Sequence, residues 1–313
     1  MEGVPDKGVT LRVLIAIDAS SGSERVLDEA VARPWPAGTS FCVVNAIDIS
    51  RFAELPALIE DAKREGERIV KEGAAKLTSA GHAAGSSILW GSPRRTVPAF
   101  AADWGADFIL AGSHGHSAIG RFLLGSVAQG ILRKAHCSVE IVRARQEARP
   151  PSSQAMNILV ATDGSDFSLA AVRSVANRPW PAASSVQILS VEELIVVNTP
   201  MTASSLSAFY PASLLEELMA DSRSRARAAA ESAKEILKQA ELKILDPQPS
   251  PLGDPRTIIL DTAEVWPAQL IVLGSHGRSG LDRLLMGSVS EAVAIHAHCS
   301  VEVIRSQVPA EKK

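Results

Sequence analysis

Cysteine is scarce in this chain of 313 residues, and its few copies are far apart. Only three occur, Cys42, Cys137 and Cys299. Small secreted proteins that depend on disulfides carry closely spaced cysteines, usually in even number. We therefore expect buried free thiols in an intracellular protein and no disulfide framework.

Long hydrophobic runs and a strong charge of either sign are also missing. No apolar stretch approaches the roughly 18 residues of a membrane-spanning helix. The apolar run near the N-terminus is interrupted by Arg12 and Asp18, so no secretory signal is expected. The net charge is −3 without a long basic run, which argues against nucleic acid or a membrane surface as the partner. The sequence indicates a soluble, cytoplasmic protein.

The chain contains an internal repeat, in which the motifs of the first half recur in the second half. Arg33-Pro34-Trp35-Pro36 recurs at 178–181, an offset of 145, and Gly112-Ser113-His114-Gly115 recurs at 274–277, an offset of 162. The difference between the offsets predicts a 17-residue insertion in the second copy, in a long loop that includes residues 199–213. Repeats of this length indicate two related domains.

We place the domain boundaries in the polar, proline-containing segment between the copies. The predicted division is a first domain over 1–145, a linker over 146–155, a second domain over 156–306 and a tail over 307–313.

Short apolar runs alternate with helical patterns in each copy. Residues 13–17 form a continuous apolar run, as expected for a strand that is buried on both faces. Further strand-like runs of the first copy follow at 40–46, 86–90, 108–111 and 138–142. This alternation predicts two open, doubly wound α/β domains, each with a five-stranded parallel sheet and helices on both faces.

The third strand of the second copy is poorly specified. Pro247, Pro249 and Pro251 stand where the first copy has Gly85, Ser87 and Leu89. Proline cannot donate a ladder hydrogen bond, so we expect this strand to be short, displaced or at an edge.

The loop after the fourth strand has the spacing Gly-x2-Gly-x9-Gly-Ser in both copies. It is formed by Gly112, Gly115, Gly125 and Ser126, and again by Gly274, Gly277, Gly287 and Ser288. Ligands of open α/β sheets bind beyond the carboxyl ends of the strands. Glycines let backbone amides approach phosphate oxygens, and the helix that begins at the last glycine favours an anion. Two matched loops predict two phosphate-binding sites.

On these loops, both halves resemble the universal stress protein family, and the chain resembles a tandem member of its ATP-binding type. The resemblance covers nearly all of residues 9–145 and 156–306. It implies Rossmann-like domains of the adenine nucleotide alpha hydrolase-like kind, with strand order 3-2-1-4-5. It also implies an ATP-binding stress-response module, in which the glycine loops hold the triphosphate and Mg²⁺ can accompany the phosphates.

The resemblance carries further expectations for single residues and for assembly. Asp18 and Asp163 are expected near the ribose or adenine, and the backbone around Val44 and Leu189 is expected to read the adenine edge. Single-domain relatives pair as dimers, so two linked copies are expected to form an intramolecular pseudo-dimer that can also pair into a homodimer.

Several alternatives remain open at the level of residues. Asp18 and Asp163 also suit a helix cap or turn, and Arg121 and Arg283 suit either phosphate contact or a loop salt bridge. His114 and His276 suit either phosphate contact or an exposed loop. His296 and His298 precede a cysteine, but the first copy lacks one of these histidines, so we expect solvent-facing residues and no metal site. The Trp-Pro pairs are typical of packing at a helix end.

Motifs for other nucleotide chemistry are absent. The sequence contains no Gly-Lys pair, no Gly-x-Gly and no Gly-x-Ser-x-Gly, which excludes a Walker A loop, a dinucleotide fingerprint and a hydrolase elbow. We therefore expect a binding module without fast catalysis. A slow ATPase or autophosphorylating enzyme, and a nucleotide-free interaction protein of the same fold, are the alternatives.

Overall fold

The computed structural model describes residues 10–52, 55–114, 124–144, 155–193, 211–240, 242–245, 249–277 and 286–305. In the first half, strands and helices alternate as β1 (Arg12–Ala16), α1 (Ser21–Ala32), β2 (Ser40–Ile47), α2 (Pro56–Ser79), β3 (Ala83–Trp90), α3 (Pro93–Trp104), β4 (Phe108–Gly112), α4 (Ser126–Lys134) and β5 (Ser138–Val142). A short 3-10 helix, Ile49–Phe52, follows β2.

The second half repeats this alternation. Its elements are β6 (Asn157–Ala161), α5 (Asp166–Ala176), β7 (Ser185–Leu189), α6 (Ala212–Leu237), β8 (Lys243–Ile244), α7 (Pro255–Val265), β9 (Leu270–Gly274), α8 (Ser288–His296) and β10 (Ser300–Ile304). The expected alternation of strands and helices is confirmed. Most of the predicted insertion, and the linker up to residue 154, lie outside the described residues.

The ten strands found among the described residues belong to one sheet. Its order is β3-β2-β1-β4-β5-β10-β9-β6-β7-β8. Pairing is parallel within each half, and the antiparallel pair of β5 with β10 joins the halves. The two halves are therefore related by an approximate twofold axis that runs between β5 and β10.

Helices cover both faces of the sheet, as the sequence predicts. On one face α1, α2, α5 and α6 pack over strand residues such as Val13 and Ile15. On the other face α3, α4, α7 and α8 pack over alternate strand residues such as Leu14 and Ile109. All four of these strand side chains have no exposed surface, because a strand between two helical layers buries both of its faces.

The third strand of the second half is short and lies at the edge of the sheet, as expected, and it ends before the three prolines. β8 has two residues, and its register places Lys243 beside Ser185. Further along the same edge, an isolated parallel bridge joins Glu192 to Leu252. The counterpart β3 in the first half has eight paired residues, so the two outer edges of the sheet differ.

A buried charge cluster occupies the contact between the halves. Glu140 of β5 lies opposite Glu302 of β10, and neither has exposed surface. Arg33 donates to both oxygens of Glu140, at 2.6 and 2.8 Å, and to Glu29 Oε1 at 2.9 Å. Arg178 donates to Glu302 Oε1 at 2.6 Å. The repeated arginine at each helix end thus neutralises a glutamate that would otherwise be buried unpaired.

The tryptophans that follow these arginines pack at the helix ends, as predicted. Trp35 Nε1 donates to the carbonyl of Ala30 and Trp180 Nε1 to that of Val175, both at 2.8 Å. The ring of Trp180 also lies 5.0 Å from the Arg178 guanidinium. Among the described residues, no helix is long and apolar enough to cross a membrane.

Candidate functional site

A cavity of about 380 Å³ opens at the carboxyl ends of β1, β2 and β4 in the first half. Five residues predicted from the sequence line it: Asp18, Val44, Gly112, Gly125 and Ser126. Gly115 lies outside the described residues, as does Arg121. The volume falls within the roughly 300–1,000 Å³ of ligand pockets, and this edge of a parallel sheet is where ligands bind.

One end of the cavity is the N-terminus of α4. Gly125 is the N-cap of this helix, and no side chain caps the free amides of the first turn. The Gly125 amide donates to the carbonyl of Ser113 at 2.8 Å, and a Cβ at Gly125 would lie 3.1 Å from that carbonyl oxygen. Glycine therefore allows the two ends of the loop to cross closely, and the uncapped amides can receive an anion.

Asp18 is held in place by serines of the turn that begins α1. Its Oδ1 accepts hydrogen bonds from the backbone amide of Ser20 at 3.0 Å and from the Ser23 hydroxyl at 2.9 Å, as well as from the Ser20 hydroxyl. Ser20 is the N-cap of α1. Asp18 therefore organises this turn and also lines the cavity, so the turn role and a ligand role are compatible.

The opposite end of the cavity is the free edge of β2. The carbonyl of Val44 accepts from the Ile17 amide at 3.0 Å and is already occupied. β2 continues to Ile47, beyond the end of β1. Because alternate residues of a strand direct their backbone groups to the same side, the amide and carbonyl of Ala46 face the cavity. Ala46, which the sequence analysis did not single out, is therefore better placed than Val44 to form backbone hydrogen bonds with the edge of a ligand.

Gly66 of α2 is a second residue that the sequence analysis missed. It lines the cavity, and a Cβ there would lie 2.9 Å from Asn45 Oδ1 and 3.1 Å from Ile88. Asn45 in turn donates to the carbonyl of Ile17 at 2.8 Å. A glycine inside a helix costs about 1 kcal/mol relative to alanine, so its presence in this long helix was a usable signal of close packing.

The second half brings the corresponding residues together. Asp163 Oδ1 accepts from the amide and hydroxyl of Ser165, and its Oδ2 lies 2.9 Å from where a Cβ of Gly277 would be. The carbonyl of Leu189 accepts from the Thr162 amide at 2.9 Å, as Val44 does in the first half. Gly287 caps α8 without a side-chain hydrogen bond.

The loop ends are likewise tied in the second half. The Gly287 amide donates to the carbonyl of Ser275 at 2.8 Å, and Ser290 Oγ donates to that of Gly274 at 2.6 Å. Ser288 is the first residue of α8. Arg283 lies outside the described residues.

The two halves differ where the first helix meets the glycine loop. Phe167 stands where the first half has Gly22, and its ring lies 5.0 Å from the ring of His276. His276 is 6% exposed, and its burial, together with the nearby Arg305, lowers its pKa. His114, its counterpart, is partly buried. Both histidines are thus turned inward in the described structure, and neither is an exposed loop residue.

Other candidate ligands do not come together. Among the described residues, no group of three or more histidine, cysteine, aspartate or glutamate side chains could hold a metal ion. His296 is exposed and His298 is partly buried. All three cysteines are buried and free.

Comparison with known proteins matches both halves of the chain to one family. The model of the universal stress protein family matches residues 10–143 and 155–305. A universal stress protein of Mycobacterium tuberculosis is 29% identical over 222 residues, covering 70% of this chain and 68% of the relative. A putative universal stress protein of Staphylococcus epidermidis is 31% identical over 140 residues, 43% of this chain and 84% of the relative.

Solved structures agree at the level of the fold. A universal stress protein from Archaeoglobus fulgidus aligns with 94% of this chain and 98% of its own, with a TM-score of 0.61 and 22% identity. A putative universal stress protein from Pseudomonas aeruginosa aligns with 95% of this chain and 93% of its own, with a TM-score of 0.59 and 18% identity. Since the family model spans most of both halves, the chain belongs to the universal stress protein family.

Proposed function

We propose that this chain is a stress-response module of the cytoplasm that binds ATP at its two glycine loops and does not turn it over rapidly. The observation that carries the proposal is the cavity of the first half. It joins an uncapped helix N-terminus, suited to phosphates, to the free edge of β2, suited to a base.

The chemistry of the cavity lining favours a nucleotide over a simple anion. Ile17, Ile69, Val97 and Ile131 supply apolar surface between the polar ends. A ligand that fills this space needs an anionic end, a flat apolar part and a hydrogen-bonding edge, which are the features of ATP. In this proposal Mg²⁺ accompanies the phosphates and is held by them.

Calorimetric titration of nucleotide-free protein with Mg-ATP tests the proposal by stoichiometry. Two sites per chain are expected. Gly125→Ala should remove the first site and Gly287→Ala the second, because each added methyl crowds the loop at 3.1 Å from a backbone oxygen. Gly85→Ala is the matched control, since a Cβ at Gly85 meets nothing within 4 Å. It should leave both sites intact.

The outcomes separate the three functional readings. Absence of saturable binding would contradict the proposal and favour a nucleotide-free interaction protein. Repeated release of ADP that fails in the Gly125→Ala, Gly287→Ala double variant would favour a slow ATPase. A single site, lost in only one of the two variants, would restrict the proposal to one half.

A further inference from the structure

The outer edge of β3 is an unprotected edge of the sheet. β3 runs for eight residues without a proline or a charged side chain, and Trp90 at its end is 48% exposed. Among the described residues, no strand pairs with this edge. Natural proteins protect exposed edges with charge, proline or very short strands. The other end of the sheet has such protection, since β8 has only two residues.

Alternate residues of β3 present their backbone groups at this edge. The Gly91 amide donates to the carbonyl of Ile47 in β2 at 2.9 Å, so Gly91 and every second residue before it face β2. The residues between them direct their amides and carbonyls away from β2. These outward-facing residues are placed symmetrically about Ser87, and they are Ala84, Ser86, Ile88 and Trp90.

Pairing with an identical strand would satisfy all of these backbone groups. With Ser87 on a twofold axis, Ala84 lies opposite Trp90 of the second copy and Ser86 lies opposite Ile88. Each pair exchanges two hydrogen bonds, and a large side chain meets a small one. β5 and β10 already pair antiparallel within the chain, so this contact would continue the sheet by the operation that joins the halves.

The helix next to this edge also suits a second copy. α2 packs on both β2 and β3, and Ala84 and Ile88 of β3 belong to the cluster on its face of the sheet. A twofold axis normal to the sheet keeps α2 and its copy on one face, antiparallel to each other. Neighbouring strands are about 4.8 Å apart, so the two helix axes would lie about 10 Å apart, a distance at which helices pack.

Close contacts fix the level of α2 along β3. A Cβ at Gly66 would lie 3.1 Å from Ile88. A Cβ at Gly73 would lie 3.1 Å from Val43, which is level with Ser86 in the ladder. The centre of β3 is therefore level with the part of α2 midway between the two glycines.

Charges on the outer flank of α2 complement each other in this arrangement. Lys76 pairs with Asp28 of α1, which marks the inner flank. At 3.6 residues per turn, Glu67 and Lys71 lie on the opposite flank, toward the free edge. They stand on either side of the level of the twofold axis, so Glu67 of each copy would meet Lys71 of the other.

We propose that the outer edge of β3 pairs antiparallel with the same edge of a second copy of this chain, which gives a homodimer centred on Ser87. The contact is independent of the glycine loops and of any nucleotide.

Sedimentation velocity of the full chain over a range of concentrations tests the proposal. A dimer with a Kd of about 1–100 µM is expected, because an edge strand and one helix flank make a small interface. Ser86→Lys should raise this Kd about tenfold or more, since it places a charge at the centre of the pairing edge. Ser86 is exposed, so the variant should fold. Ser232→Lys, at an exposed position of α6, is the matched control and should dimerise as the wild type does.

Charge reversal on α2 supplies a second, independent test. Glu67→Lys and Lys71→Glu each place like charges across the axis, so each variant alone should dimerise about tenfold more weakly. An equimolar mixture of the two should associate about as well as the wild type, because opposite charges then meet. Glu235→Lys, which reverses an exposed charge paired with Lys238 on α6, should leave the Kd unchanged.

Three results would overturn the proposal. The first is a chain that stays monomeric over the whole concentration range. The second is a dimer that Ser86→Lys leaves unchanged, since that dimer would use another surface. The third is a mixture of Glu67→Lys and Lys71→Glu that associates no better than either variant alone.

Discussion

The glycines that end the fourth strand of each half have different surroundings. A Cβ at Gly274 would lie 2.6 Å from the backbone carbon and oxygen of Phe167, whereas a Cβ at Gly112 would meet its nearest atom at 3.5 Å, the carbonyl oxygen of His114. The first distance requires the backbone of α5 to move. The second is an ordinary contact, so the same motif position is under steric constraint in only one half.

Alanine substitution at the two positions should separate these roles. Gly274→Ala is expected to lower the free energy of unfolding by about 1–3 kcal/mol through overpacking. Gly112→Ala is expected to change it by less than about 1 kcal/mol. Urea unfolding of both variants measures the difference. Equal losses in the two variants would contradict the described packing of α5 on β9.

Sequence alone predicted five of the residues that line the first cavity, but not those that shape its far end. The glycine spacing identified Gly112, Gly125 and Ser126 because it reports a local requirement of one loop. Ala46 could not be found this way, since its role depends on β2 extending beyond β1, which is a property of two strands. Phe167 was missed for a similar reason: its contact with His276 joins segments about a hundred residues apart.

At the level of elements, the paired strands β5 and β10 each carry a buried glutamate, Glu140 and Glu302, and burial disfavours the ionised form of such a side chain. Burial raises the pKa of Glu140 from 4.5 to about 7, and the nearby Glu302 and Glu29 act in the same direction, against the attraction of Arg33. Arg178 faces Glu302 from the other side. Three carboxylates thus share two guanidinium groups. Between about pH 4.5 and pH 7, the raised pKa means that Glu140 binds more protons in the folded protein than in the unfolded chain.

This difference in bound protons predicts a pH dependence of stability. Because the pKa of Glu140 is higher in the folded state, the stability it contributes is present below about pH 4.5 and is lost as the pH rises to about 7. Glu140→Gln removes this titration. The free energy of unfolding of the wild type, minus that of Glu140→Gln, should therefore fall between pH 5 and pH 8 in urea titrations.

Glu67→Gln provides the control, because the Glu67 side chain is 40% exposed and, among the described residues, its ion pair is with the more exposed Lys71. The corresponding difference for this variant should stay nearly constant over the same pH range. A wild-type advantage over Glu140→Gln that grows with pH would contradict the raised pKa.

Sequence patterns could not predict that β5 and β10 pair and join the two halves. Alternation of strands and helices predicted each five-stranded unit, because hydrophobic periodicity reports local burial. It does not report which edge strands meet. The repeated Cys-Ser-Val-Glu segment placed a glutamate inside a buried strand in both copies, and this conflict was the available signal that an arginine partner had to come from elsewhere.

At the scale of the whole molecule, the halves are coupled by reciprocal arginine contacts. Arg143, at the end of β5, donates Nη2 to the carbonyls of Ala294 and Ile295 in the last turn of α8, at 2.8 and 2.9 Å. Arg305 makes the related contact with Leu132 in α4. A cation at a helix C-terminus is favourable because it complements the helix dipole and satisfies free carbonyls. Each half therefore completes a helix end in the other.

Loss of one such contact should destabilise the chain more than loss of a surface ion pair between the same halves. Arg143 is 6% exposed, whereas the Arg133 side chain, paired with Glu291 at 2.5 Å, is 59% exposed. Arg143→Gln is expected to lower the free energy of unfolding by about 2–3 kcal/mol, since it removes charge-assisted hydrogen bonds in a buried site. Arg133→Gln should cost less than about 1 kcal/mol.

Hydrogen exchange tells whether this coupling extends across the sheet. If the ten strands unfold as one unit, Arg143→Gln should accelerate the exchange of amides in β1 and β6 by similar factors, although these strands belong to different halves and neither contacts Arg143 directly. Acceleration confined to β10 and α8 would instead mean that the second half opens alone. In that case the antiparallel pair would be a docking contact between two independently stable domains, and a ligand bound in one half would leave the stability of the other unchanged.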